Sequence, residues 1–285
     1  MIGTARLRRR RVSASAGAAL TLLCALLAAG ALLVILGYVV VQGIGAVNWA
    51  FLTQLPRPVG MTGGGVGNGI LGTIIIIAIA AAMAIPLGLL TSIYLALFGR
   101  GTIPEALRFL SDVLSGVPSI AIGLFAYTVL VAPLKHFSAF SASFAFMMLM
   151  LPLLVRTSEQ AIRSVPQTVR EGALALGMSN FRATMRVVLP TARPAIITAL
   201  LLAIARVTGE TAPLLFTAFG SQFWETNPGR PMAVLALQVF NYAISPYANW
   251  QAQAWGGALL LIVAVLILSL GARYMLSQAS RRLES

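Results

Sequence analysis

An arginine and a glutamate four residues apart, Arg206 and Glu210, interrupt an apolar stretch of this chain, and Thr208 and Thr211 flank them with hydroxyls. If a helix starts after Pro194, Arg206 lies twelve residues in, about 18 Å along the axis. A charge at that depth of a bilayer costs at least about 2.5–3.5 kcal/mol, so it has a structural or a functional reason to be there. On a continuous helix the two residues share a face and can pair. Two chemistries fit. One is a structural ion pair that locks helices together. The other is a guanidinium facing a polar path, whose planar donors match two oxygens of a phosphate-like anion. A neighbouring carboxylate would then weaken binding enough for the anion to leave.

Other chemistries have no support. The only lysine is Lys135, and Leu134 precedes it, so G-x-x-x-x-G-K-[ST] is absent and the chain has no phosphate-binding P-loop of its own. Gly67-Asn68-Gly69-Ile70-Leu71-Gly72 matches G-x-G-x-x-G, but no strand precedes it and no acidic residue follows about 20 positions on; it reads as a flexible entry to a helix. One cysteine (Cys24) and one histidine (His136) exclude an internal disulfide and a His/Cys zinc site. No serine, cysteine or carboxylate has the partners of a nucleophile or general base. Met147, Met148 and Met150 read as packing or lipid-facing residues, not as a metal-binding row.

The elements that must position Arg206 and Glu210 follow from composition. Of 285 residues, 59% are hydrophobic and 9% charged, with a mean hydropathy of +0.90. An ordinary soluble domain carries roughly a quarter charged residues. This composition excludes a soluble enzyme and a disordered chain, and it fits a bilayer. Six apolar stretches stand out, at about 16–41, 70–98, 113–131, 140–155, 195–219 and 255–276. The fourth is short and is extended into Ser138 and Arg156. Pro86, Pro118 and Pro213 predict kinks. The first stretch exceeds a signal-peptide core and reads as an uncleaved helix.

The net charge of +13 has a topological explanation. Of the 20 basic residues, 16 fall in the N-tail (Arg6, Arg8, Arg9, Arg10, Arg11), the loop after span two, the long loop after span four, and the C-tail. The alternate loops hold only Arg57, Lys135 and Arg230. Such alternation predicts six spans with both termini in the cytoplasm, without nucleic acid as a partner.

The long loop, 156–194, reads as a compact helical knob. Pro166 can open a helix on which Val169, Ala173 and Leu176 share a face beside Arg170 and Glu171. Gly177 suits a left-handed stop. Ser179 or Asn180 can cap a second short helix, ended by Pro190 and Pro194. The knob suits either a membrane surface or a groove on a soluble partner, and periodicity does not decide between them.

Glu171-Gly172-Ala173-Leu174-Ala175-Leu176-Gly177, followed by Leu189-Pro190, resembles the E-A-A…G…L-P loop of ABC importer permeases, with Gly172 where alanine is commoner. Ser115-Gly116-Val117-Pro118-Ser119-Ile120 through Gly123-Leu124-Phe125 is similar to the G-V-P-S-I-x-x-G-L-F segment of phosphate permeases. Ala205-Arg206 through Gly209-Glu210-Thr211-Ala212-Pro213-Leu214-Leu215 is similar to their A-R-x-x-G-E-T-A-P-L-L segment. Gln222-Phe223-Trp224 and Ser245-Pro246-Tyr247-Ala248 fit the A-type subunit of the bacterial phosphate-specific ABC importers better than its C-type partner. The resemblance covers roughly residue 50 to the end.

The resemblance implies an all-α membrane protein of the type I ABC importer permease fold. It implies a basic tail (1–15), a first helix with an external glycine-rich loop (16–69), a five-helix permease core (70–276) with its coupling loop (156–194), and a C-tail (277–285). The implied function is half of a phosphate path in a bacterial inner membrane. Arg206, Glu210, Thr208 and Thr211 would lie on that path. Arg170, Glu171, Gly172, Ala173, Leu176, Gly177 and Ser179 would couple to the ATPase. The implied partners are an ATPase homodimer that uses ATP and Mg, a C-type permease, an external phosphate-binding protein, inorganic phosphate and membrane lipid. The chain itself would bind no cofactor and no metal. Two rivals remain: an ion-coupled transporter acting alone, against which no inverted repeat is visible, and a lipid-phosphate enzyme, against which no base–nucleophile set is visible.

Overall fold

The computed structural model describes residues 4–61 and 63–284, and side chains except those of 4–9, 11, 12 and 275–284. Most of the N-tail and C-tail arginines therefore lie outside the described side chains. Among the described residues every regular element is helical, and the one extended pairing is an isolated parallel bridge between Phe219 and Met232.

Helix α1 (Thr4–Gly43) carries the first apolar stretch. Its Leu26, Leu27, Leu33 and Val41 side chains are exposed, as a helix against lipid requires. The short α2 (Trp49–Thr53) is capped by Asn48, whose Oδ1 accepts from the Phe51 N–H at 2.9 Å. Helix α3 (Gly67–Phe98) continues through Pro86 and ends in a π-helical turn, Tyr94–Phe98. Next come α4 (Thr102–Gly116) and α5 (Ser119–Leu134), inclined at 104° to each other. The third predicted span, 113–131, is therefore not one helix. Pro118 bars the α conformation at Val117, which is extended (φ −68°, ψ 130°), and the chain turns there.

Helix α6 (Ala139–Arg163) is longer than the predicted 140–155 and is the hub of the fold. Ser138 caps it, its Oγ accepting from the Ser141 N–H at 3.1 Å. It packs closely against α3, with Ala80, Ala84, Ala142 and Ala145 in the shared core and Phe146 and Met150 fully buried beside them. Ser143 Oγ reaches across to the Ile76 carbonyl at 3.1 Å. Met147 and Met150 are core residues, consistent with the packing reading.

Helix α7 (Gln167–Ala175) is the predicted knob helix. The chain then enters α8 (Asn180–Thr208), 29 residues without interruption. The second knob helix is thus not ended by Pro190 and Pro194 but continues into the span. A π-helical turn, Thr184–Val188, precedes Pro190, where an unmodified helix would clash with the proline ring. After α8 come the short α9 (Leu214–Thr217), a loop, the half-buried α10 (Leu235–Ala243), and α11 (Ala248–Glu284). Helix α11 packs on α8 and α10 and carries α1 on its outside, where Tyr38 meets Trp255 edge-on at 5.3 Å. Among the described residues five helices are long and apolar enough to cross a membrane, six if α4 and α5 count as one broken span. The chain is a multi-pass membrane protein.

Candidate functional site

The charged motif of the fifth span sits at a helix end. Helix α8 stops at Thr208, Gly209 caps it, and the Glu210 N–H donates to the Val207 carbonyl at 3.1 Å. Glu210 has therefore left the helix, and the predicted shared helical face does not exist. Among the described residues, neither Arg206 nor Glu210 belongs to an ion pair. Arg206 is exposed in the last turn, where the helix dipole favours a cation. Glu210 and Thr211 are half-buried. Thr208 is buried, and its hydroxyl donates to the Ile204 carbonyl of its own helix at 2.8 Å.

The span breaks because Gly209 and Pro213 bracket it, and backbone without helical bonds needs protein around it at this depth. That protein is α5. A Cβ on Gly123 would lie 2.6 Å from the Pro213 Cα, so only glycine permits this approach. Gly123 and Pro213 thus join the Gly-Val-Pro-Ser segment to the Gly-Glu-Thr-Ala-Pro segment in one junction. Beyond it the chain folds back onto the start of α6: the Ala139 N–H donates to the Arg230 carbonyl and the Phe140 N–H to the Pro228 carbonyl, both at 2.9 Å. In that return loop the N–H groups of Asn227 and Thr226, with Arg230, hold the Glu225 carboxyl below its ordinary pKa.

The caps of the knob are built as the sequence indicates. Pro166 precedes α7. Gly177 is left-handed (φ 82°), and the Gly177 and Met178 N–H groups cap the carbonyls of Leu174 and Ala173 at 2.9 and 3.2 Å. The Ser179 Oγ accepts from the Arg182 N–H at 3.4 Å. Arg170 ties α7 to α8 through Asn180 Oδ1 at 3.2 Å, and Glu171 is exposed, accepting from Gln167 Nε2 at 2.8 Å. Val169, Ala173 and Leu176 do not form one buried face. Ala173 is buried, but Leu176 lies past the last helical residue and is 83% exposed. Phe181, in the first turn of α8, is 68% exposed. The knob therefore presents two bare apolar side chains and a carboxylate. Gly172 has open space around it, so an alanine would fit.

Beneath the knob lies a cluster that reading the arginines only for topology missed. Glu159 is buried and meets three arginines: Arg108 at 2.8 Å, Arg163 at 3.0 Å and Arg156 at 3.4 Å. Arg156 also reaches Asp112 at 2.9 Å. Arg108 and Arg163 both donate to the Leu95 carbonyl, one of those a helix end leaves unpaired, at 2.8 and 3.2 Å. The cluster bolts α3, α4 and α6 together one short turn before α7 begins. The signal was present in the spacing of Arg156, Glu159 and Arg163, which places all three on one side of a helix.

The two groups of predicted site residues lie at opposite ends of one element. Asn180, bonded to the knob, begins α8, and Arg206 stands in its last turn, about 40 Å away for a helix of this length.

Comparison with known proteins places this architecture. Residues 84–284 match the model for a family described as "Binding-protein-dependent transport system inner membrane component". The phosphate transport system permease protein PstA of Yersinia pestis is 41% identical over 240 residues, which is 84% of this chain and 81% of that protein. The protein of the same name from Xylella fastidiosa (strain 9a5c) is 42% identical over 237 residues, 82% of each chain. Among solved structures, a chain of the MetNI methionine ABC transporter in an inward-facing conformation superposes with a TM-score of 0.61 at 15% identity, over 75% of this chain and 95% of that one. That likeness establishes the fold.

Proposed function

The chain belongs to the family of binding-protein-dependent transport system inner membrane components, and from that premise we propose that it is the A-type permease subunit of an ATP-driven phosphate importer. It forms half of the translocation path and hydrolyses nothing itself. The observation that carries this reading is the single helix α8, which joins the exposed knob to the exposed Arg206. Motion imposed at one end reaches the other without a hinge of loop residues.

In this reading Arg206 faces the path between this chain and a related C-type permease, so its exposure in the isolated chain is what a half-path requires. Arginine attracts the oxyanion through two parallel donors. The half-buried Glu210 and Thr211 at the helix break tune how readily it is released. Thr208, its hydroxyl turned to Ile204, holds the end of the helix in place. Glu171, Leu176 and Phe181 present the knob to a groove on an ATPase homodimer, which supplies ATP and Mg chemistry, with Arg170, Gly172, Ala173, Gly177 and Ser179 shaping it. An external phosphate-binding protein delivers the ion to the opposite end. The arginine-rich end and both termini are cytoplasmic.

The test is phosphate uptake into vesicles reconstituted with the complete complex. Uptake should require ATP and should disappear with Arg206→Gln while the complex still assembles. Uptake without ATP, driven by an ion gradient, would replace this reading with that of a secondary transporter.

A further inference from the structure

Three guanidinium groups converge where the knob joins the membrane-spanning helices. A cavity of about 320 Å³ lies between the foot of α7 and the ends of α3 and α6, lined by Arg100, Arg163, Arg170, Gln167 and the Gly99 backbone, with Val188 among its apolar residues. Its cations are unevenly matched. Arg163 is held by Glu159, a carboxylate already shared with Arg108 and Arg156. Arg170 donates through Nη2 to Asn180, but its Nε is buried and meets no acceptor among the described residues. Arg100 is exposed, with no acceptor or carboxylate partner among the described residues. The other nearby carboxylate, Glu171, accepts from Gln167 on the exposed side of α7.

A buried donor without a partner costs about 1–3 kcal/mol, and unneutralised guanidiniums around one cavity repel. One ligand chemistry relieves both: a tetrahedral oxyanion, which offers several acceptors to donors arriving from different directions. We propose that this cavity binds a phosphate group, bridging Arg100 at the end of α3, Arg163 at the end of α6 and Arg170 on α7. The site is separate from Arg206, which lies at the far end of α8. Its binding does not depend on the proposed function; its consequence does. An anion there fastens the docking helix to two spans, so occupancy sets how firmly the ATPase grips the path. The phosphate group comes either from inorganic phosphate or from an anionic phospholipid whose headgroup lies at this membrane face.

The test uses the full chain, purified and delipidated in a maltoside detergent, with Arg206→Gln as the background so that the path does not contribute. Binding of inorganic phosphate is read from phosphorus NMR line broadening. Retention of added phosphatidylglycerol is read by native mass spectrometry. Arg100→Gln with Arg170→Gln should weaken one of the two by on the order of tenfold or more, because two charge-assisted donors are lost. Arg163 stays unchanged because it also holds Glu159. Loss in the first arm identifies inorganic phosphate, and loss in the second identifies the lipid headgroup. Arg100→Lys with Arg170→Lys should give intermediate affinity, and it decides the matter if circular dichroism shows the glutamine variant misfolded. Affinities for both probes that remain unchanged in glutamine and lysine variants of native helicity would overturn the proposal.

Discussion

Arg108 on α4 and Glu159 on α6 meet at 2.8 Å across 51 residues of sequence, and the same guanidinium also satisfies the Leu95 carbonyl at the end of α3. One side chain thus closes a three-helix joint. The joint matters because α4 leads directly into the 104° break before α5, and α5 carries the Gly123 contact with Pro213. Displacement of the knob therefore has a second route to the charged break, through α6, the arginine cluster, α4 and α5.

Arg108→Gln should weaken that route. Glu159 keeps Arg156 and Arg163, so it is not stranded. The loss should be about 2–3 kcal/mol, below the range for breaking a fully buried pair, since Arg108 is partly exposed. In reconstituted complex, ATP hydrolysis should persist while phosphate uptake per ATP falls. Unchanged stoichiometry together with an unchanged unfolding midpoint would remove the joint from the coupling machinery.

Gly123→Ala tests the junction of the two motif segments. The added methyl meets the Pro213 backbone, which cannot rotate away as a side chain would. Overpacking of this kind costs about 1–3 kcal/mol. The unfolding midpoint should fall and uptake should drop. Gly172→Ala is the contrasting case, because its surroundings are open and the helix gains about 0.5–1 kcal/mol. That variant should be at least as stable as the parent and fully active, and loss of ATPase retention would mean that the knob needs its backbone bare at residue 172.

Most spans were legible because hydropathy and length are local properties. So were Gly177 and Ser179, since a cap is a matter of one residue's chemistry. Pro118 and Pro213 marked where the chain bends, but not by how much. Residues 113–131 carry no charge and read as one kinked span, yet the two helices meet at 104° about Val117, and hydropathy carries no angle. Residues 195–219 likewise read as one kinked span, although the helix ends at Gly209, before Pro213. Helix α10 is nine residues long, too short to announce itself as a span, and its first turn is buried because α3 and α11 pack against it. Glu159 escaped notice because its local partners Arg156 and Arg163 were read only as topological charges, and its third, Arg108, is remote in sequence.

Gly177 and Asn227 should lie on opposite sides of the membrane. Helix α6 connects their neighbourhoods: its first turn bonds to Pro228, and its last residue, Arg163, stands just before α7. At 25 residues it spans about 37 Å, more than a bilayer core. A reporter fused after Gly177 should be cytoplasmic, and one inserted at Asn227 external. Reporters on the same side would overturn the path of α6.

Glu171→Lys tests docking. It reverses the one carboxylate on the knob and removes the Gln167 contact while keeping an adequate helix former. The ATPase subunit should be retained poorly and uptake should fall with it. Normal retention and normal uptake together would leave the knob without a docking role.

Arg206 and Glu210 provide the sharpest case, because no ion pair joins them and the helix ends between them. If they acted only as a structural pair, removing both charges would restore most of what removing one had lost. With Glu210 on the far side of the helix end, that rescue should not occur. Arg206→Gln should abolish uptake in an assembled complex, and Arg206→Lys should recover part of it, since ammonium keeps the charge but loses the planar fork. The double variant Arg206→Gln with Glu210→Gln should assemble and stay inactive. Near-normal uptake in that double variant, with assembly verified by copurification, would refute the path role and return the two residues to a structural one.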